Sequence, residues 1–261
     1  MQKTAHSTLS ADGVLPLSCP RSWREMSQEQ LRYALHVIGS GLYSSVEGRT
    51  LMLLRFAGIR VSRRMMGAWA CTAWVVTEGG RTRQHHFFLQ AWQVQDMIRQ
   101  LAYVDSYETM DVRLESIQGH KAVDALLHGV RFHDYLQMEK YYQGYLASKE
   151  RRYAVGLAAL LYPGGITTID DAELAGTVMW YSYVKRQLAR FFPHFLRPAP
   201  VSKGGKGVNW LEQMNAMIRA LTDGDITKEQ AVFDKDCWRA LTELDAKARE
   251  AEEFRKKYPK G

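Results

Sequence analysis

The chain has 261 residues, a formal net charge of +7, 46% hydrophobic and 24% charged residues, a balance that excludes a disordered polymer and supplies a core for one large domain or two smaller ones. No run approaches the roughly 18 apolar residues of a membrane helix, and Met1 to Val14 lacks the apolar stretch of a secretory leader. The basic balance, with a pI near 9.3, permits an acidic partner such as nucleic acid without demanding one, because charge also serves solubility.

Residues 1–13 are polar and aperiodic and read as a flexible tail. Leu15 to Trp23 carries Pro16 and Pro20 and reads as an extended lead-in. A helix start follows: Ser27 with Gln30 forms a capping box, Met26 can staple onto Leu31, and Leu31, Ala34, Leu35 and Ile38 share a face that Gly39 and Gly41 end. A second helix is predicted from about Ser45 to Ala57. Arg49, Arg55, Arg60, Arg63 and Arg64 lie in the most basic stretch, which holds no acid.

From about 68 to 89 the pattern changes. Aromatic and branched residues run up to Glu78-Gly79-Gly80-Arg81 and back, which predicts a β-hairpin with helices over part of it. Val94, Met97, Ile98 and Leu101 predict a helix, and Met110 to Ile117 a short strand. Phe132 to Leu146 is a tyrosine-rich helix and Tyr153 to Tyr162 another, closed by Pro163-Gly164-Gly165. The longest apolar periodicity spans Asp170 to Phe195. Leu174, Val178, Tyr181, Val184, Leu188 and Phe191 recur at helical steps, Trp180 and Tyr183 widen the stripe, and the helix is expected to be buried on more than one side. Thr168 or Asp170 is its candidate cap and Pro193 its end.

Residues 198–207 are rich in Gly, Pro and Lys and read as a linker. Beyond them a helical hairpin is predicted: one helix from Trp210 to Leu221, stopped by Asp223-Gly224-Asp225, then a second boxed by Thr227 and Gln230 and running unbroken through Phe233, Cys237, Leu241 and Leu244 to Ala251. Trp210, Met214, Met217, Leu221 and Trp238 are its candidate partner-binding residues, since such a pair must dock on the main body or on another chain. The expected architecture is mainly α, α+β at the margin: a multi-helix body over 14–197 with one β-hairpin, and a C-terminal helical hairpin over 208–261.

No catalytic constellation stands out. Gly204-Gly205-Lys206-Gly207 lacks the Walker spacing and preceding strand. His85 and His86 are adjacent on a predicted strand and point to opposite faces, while His128 and His133 are misaligned on a helix, so no metal site is expected. Cys19, Cys71 and Cys237 lie far apart and form no C-x-x-C pair, which argues against a disulfide framework and fits a reducing compartment. Glu139 among Tyr135, Tyr141 and Tyr142 reads as the rim of a helix interface, tyrosine bodies inward and hydroxyls outward, more than as a sugar- or base-binding cleft. No cofactor is called for. The arginines of 49–64 are the candidate nucleic-acid-binding residues, set against the reading of a solvated or partner-facing surface.

Three stretches carry a resemblance: Leu15-Pro16 through Trp23-Arg24-Glu25-Met26-Ser27 with Gln30-Leu31; Tyr135-Leu136 with Glu139, Tyr141-Tyr142 and Tyr145; and Trp210 through Met214 to Leu221, Gly224 to Glu229 and Trp238 to Leu244. Together they resemble proteins encoded in the tail or structural modules of bacterial prophages. The shared residues are packing and capping residues, and no functional residue is carried over. The resemblance implies a non-enzymatic part in phage morphogenesis, as a tail-assembly chaperone or a minor virion component. Its partners would be other phage structural or tail proteins or a second copy of the chain. Its place would be the cytoplasm of a bacterial host, or the virion itself, with no membrane association. A nucleic-acid-binding accessory protein is the competing expectation.

Overall fold

Helix caps and one antiparallel sheet set the first half of the chain. The computed structural model describes residues 6–10, 13–76, 80–106, 109–196 and 210–258, so the expected linker at 198–207 lies outside the described residues. The described chain is mainly helical with some β structure, and no helix among those residues is long and apolar enough to cross a membrane. It divides into two units, Met1–Val112 with Asp171–Gly176, and Arg113–Asp170 with Thr177–Gly261. A division between 14–197 and 208–261 is therefore not the one observed: the residues of the C-terminal helices cluster with 113–170 and 177–196. Met217, Ile218, Cys237, Ala240, Leu241 and Leu244 of these helices are buried.

The first unit opens with an antiparallel ribbon, β1 (His6–Ser10) against β2 (Gly13–Leu17), where a flexible tail was expected. The ladder's backbone hydrogen bonds make this ribbon, and they leave no apolar alternation in a sequence to read. Trp23 anchors the lead-in. It is buried, donates its indole N–H to Thr109 Oγ1 at 3.1 Å, and meets Tyr103 edge-on at 5.7 Å. Helix α1 (Gln28–Ser40) starts at the Ser27–Gln30 capping box and ends at Gly41, whose φ of 63° is the left-handed conformation that favours glycine. Gly39 has a different task. A Cβ there would lie 2.2 Å from the carbonyl oxygen of Asp171, so only glycine allows that approach. Arg32 of α1 pairs with the buried Glu173 at 3.1 Å.

Helix α2 (Ser45–Phe56) carries a second reciprocal box, Ser44 with Glu47. Then come β3 (Ile59–Met65), β4 (Ala68–Val76) and β5 (Thr82–Gln90), an antiparallel sheet in the order β3-β4-β5, so the expected hairpin is two thirds of a three-stranded sheet. The third strand escapes the sequence because all its residues after Ile59 are exposed and show no apolar alternation. One sheet face, with Ile59, Cys71, Ala73, Phe87 and Leu89, is buried. Residues of α2 and α3 (Ala91–Arg99) face it: Leu53, Leu54 and Val94 line an apolar cavity of ≈ 200 Å³ with Val61, Trp69, Cys71 and Leu89.

Met110 to Glu115 forms no strand; in the second unit β6 (Ser116–Ile117) and β7 (His120–Lys121) pair as a two-stranded ribbon. Helices α4 (Phe132–Ser148) and α5 (Arg151–Leu161) stand where predicted. Helix α6 (Asp171–Phe191) is buried almost all round, with Met179, Trp180, Tyr181, Val184 and Leu188 in the core, whereas its predicted apolar end, Phe191, is half exposed. Helix α7 (Trp210–Thr222) also matches. The long last helix does not. A short α8 (Glu229–Phe233) is separated from α9 (Cys237–Lys257). At the break the backbone pairs elsewhere: Phe132 N–H donates to Lys235 O at 2.7 Å and Cys237 N–H to Val130 O at 2.8 Å. Asp236, rather than the Thr227–Gln230 pair, caps α9, accepting from the N–H groups of Trp238 and Arg239 and from Gly129 N–H at 2.6 Å. Asp225 accepts from Thr227 N–H at 3.0 Å, in a 3-10 turn before α8.

Candidate functional site

Antiparallel register decides which side chains share the open face of the sheet. Directly paired residues point the same way, and successive residues alternate. Since Cys71, Ala73, Phe87 and Leu89 face the core, Ala70, Thr72, Trp74, His86 and Phe88 face out. The bulge between Val61 and Arg63 matters here. Without it the run from Arg60 would place Arg63 on the inner face; with it, Arg63 pairs with Ala70 and Arg60 with Thr72, and both arginines join the open face. Five cross-strand rows result: Met65–Ala68–Gln90, Arg63–Ala70–Phe88, Arg60–Thr72–His86, Trp74–Gln84 and Val76–Thr82.

The open face carries exposed apolar and basic groups together. Trp74 is 55% and Phe88 59% exposed, large apolar groups left to water. No acidic residue stands on β3, β4 or β5, and both arginines are exposed without a hydrogen-bond or ion-pair partner among the described residues. Ala70 and Thr72 form a shallow floor between arginines on one side and rings on the other. By ordinary strand dimensions the two lanes lie about 10 Å apart, and successive rows about 7 Å apart.

Of the five arginines of the basic stretch, the structure brings together only two on this face. Arg49 packs along α2, 3.3 Å from Ser45 O and 3.6 Å from Asp105, and Arg55 pairs with Glu29 at 2.9 Å and lies over the Tyr33 ring. Arg64 pairs in register with Trp69 and so belongs to the opposite face. The rings that complete the site come from β4 and β5, residues the linear run of arginines gives no reason to connect with it. The signal was available only as the spacing of exposed rings, Trp74, His86 and Phe88, at alternate positions of their strands.

The second unit holds the other concentration of polar chemistry. Glu139, 3% exposed, accepts a hydrogen bond from Tyr181 Oη at 2.8 Å and an ion pair from Lys185 Nζ, which also lies over the Tyr142 ring at 5.5 Å. Burial, and then the Glu139 charge, push the Tyr181 and Tyr135 hydroxyls well above the usual tyrosine range. The rim reading with outward hydroxyls is corrected: Glu139, Tyr135, Tyr142 and Tyr181 lie inside, because α6 covers the face α4 would otherwise show to water. Beside them is a cleft of ≈ 380 Å³ lined among others by Gln143, Lys185, Trp210, Gln213 and Met217.

The candidate partner-binding residues also lie within this unit. Met217 is buried, and Trp210, Met214 and Leu221 are half-buried. Trp238 stacks on His128 at 4.2 Å, meets Phe191 and Phe192, and donates its indole N–H to Leu126 O at 2.7 Å. Of the five, only Met217 is fully buried; the others keep part of their surface exposed. His85 and His86 stand on opposite sheet faces, and no cluster of three or more His, Cys, Asp or Glu suited to a metal occurs among the described residues. Cys19, Cys71 and Cys237 are free thiols, and burial pushes Cys237 up to about 12. Compared with protein-family models, with curated proteins and with solved structures, the chain matches none.

Proposed function

We propose that this is a non-enzymatic nucleic-acid-binding protein whose working surface is the open face of β3–β5. One observation carries the reading: Arg60 and Arg63, without a hydrogen-bond or ion-pair partner among the described residues, share a face with the exposed rings of Trp74, His86 and Phe88 on strands that hold no acid. Clustered arginines supply phosphate contacts, and exposed rings supply stacking. The resemblance to prophage tail-module proteins supplies the setting, a morphogenesis module in a bacterial host, as a tail-assembly chaperone or a minor virion component.

Fluorescence anisotropy of labelled mixed-sequence DNA and RNA against the full chain tests the reading. Binding at low salt should weaken steeply as salt rises from about 50 to 200 mM, and charge reversal by Arg60→Glu with Arg63→Glu should abolish it. Absence of any binding at low salt would remove it. The setting has its own test, retention of neighbouring tail gene products in a pull-down; if the chain elutes alone, the morphogenesis role fails.

A further inference from the structure

Resting on the nucleic-acid reading above, we infer that this face takes single strands, with the sugar-phosphate chain running along β3 and the bases lying on the rings of β4 and β5. The separation of chemistry into two lanes carries the inference. Arg60 and Arg63 stand on the edge strand; Phe88 and His86 stand two strands away on β5; one row further along, Trp74 stands on the middle strand beside Gln84. Small Ala70 and Thr72 keep the floor between the lanes low.

An extended strand presents phosphates along one side and unstacked bases along the other, and it matches both lanes at once. Each base has a π-face, so rings spaced about 7 Å along a strand accept successive bases with little regard to sequence. A duplex offers no such match. Its bases are stacked and paired inside, so Phe88 and Trp74 would meet only phosphate and sugar and stay without a stacking partner. Gln84, Gln90 and Thr72 on the same face add hydrogen-bonding groups within reach of base edges. The residue types also occur in protein interfaces, where Trp, Phe, Met and Arg are enriched. The segregation of arginines from rings, on strands without acid, favours a polyanion with a charged side and an aromatic side.

The test uses the full chain and fluorescein-labelled oligo(dT), oligo(U) and a duplex, each of about 15 nucleotides. Single strands should bind about tenfold or more tightly than the duplex. Trp74→Ala with Phe88→Ala should lose about tenfold or more on single strands while leaving the salt slope unchanged, and Phe88→Tyr should keep binding. Arg60→Ala with Arg63→Ala should lower the salt slope by about two. Preference between oligo(dT) and oligo(U) separates DNA from RNA as the source of the strand. Equal binding of duplex and single strand, or ring variants that bind as the parent does, would overturn the single-strand inference and leave the broader reading standing. Failure of all three probes at low salt would remove both. Loss of a retained tail protein from the ring variant, with no oligonucleotide bound, would reassign the face to protein docking. Both ring side chains are exposed, and an unchanged melting temperature of the variants confirms that binding alone has been altered.

Discussion

The open face of β3–β5 and the Glu139 cluster both set cationic side chains beside aromatic rings, and they differ in where the hydrogen bonds go. Around Glu139 the carboxylate is answered by Tyr181 and Lys185, and the lysine in turn lies over Tyr142. Every charge there is buried or paired, as a core requires of ionised groups. On the sheet, Arg60 and Arg63 have no partner among the described residues, and Trp74 and Phe88 are more than half exposed. Similar residues therefore serve as internal cement in one unit and as an unspent surface in the other. What distinguishes them is the presence of an internal partner, which residue type alone does not reveal.

The comparison can be broken first at Glu139. Glu139→Ala leaves Tyr181 Oη and Lys185 facing an empty acceptor site, and loss of a buried partner costs on the order of 3 kcal/mol, less whatever Lys185 recovers by turning to water. Chemical denaturation should show that loss while oligonucleotide binding by the folded fraction stays unchanged. Reduced nucleic-acid affinity with full stability would reverse the two assignments. Next comes Trp74→Ala or Phe88→Ala singly, expected to weaken single-strand binding by about 1–3 kcal/mol with stability within about 0.5 kcal/mol of the parent.

Alkaline pH sharpens the contrast from another side. Tyr135, Tyr181 and Cys237 are held protonated by burial, so the unfolded chain sheds their protons at lower pH than the folded one. For Cys237 the folded value is raised to about 12 from 9.0, so its contribution is full below about pH 9 and is lost as pH climbs towards 12. Denaturation midpoints measured at pH 8 and pH 10.5 should fall in that order; a midpoint that rises would refute the buried, neutral state of these groups. The smallest effects belong to Arg49→Ala and Arg55→Ala. Both residues are engaged within the first unit, by Ser45 and Asp105 and by Glu29 and Tyr33. Each should change oligonucleotide affinity less than twofold by anisotropy, on the order of 0.4 kcal/mol, since a surface pair contributes little.

Local elements were legible because their signals are local. The capping box at Ser27, the stop at Gly41, the hairpin strands at 68–89 and the starts and periods of α4 to α7 all depend on residues within a few positions of one another. Where the reading failed, a distant partner intervened. Strand β3 exists because β4 offers it a ladder, and α9 begins at Cys237 because Val130 and Phe132 take the backbone groups at the break. Of the five arginines of the basic stretch, Arg60 and Arg63 stand on the open sheet face and the other three point elsewhere.

By itself, then, the amino-acid order determined a mainly helical protein with some β structure, its caps and most of its helix spans, because propensity, capping and apolar period act over one or two turns. Only the tertiary structure decided that Glu139 is buried and answered while Arg60, Arg63, Trp74 and Phe88 are exposed, the two arginines without a partner among the described residues. That decision rests on strand register and one bulge, and a shift of a single residue in either would have sent the same side chains to the opposite face.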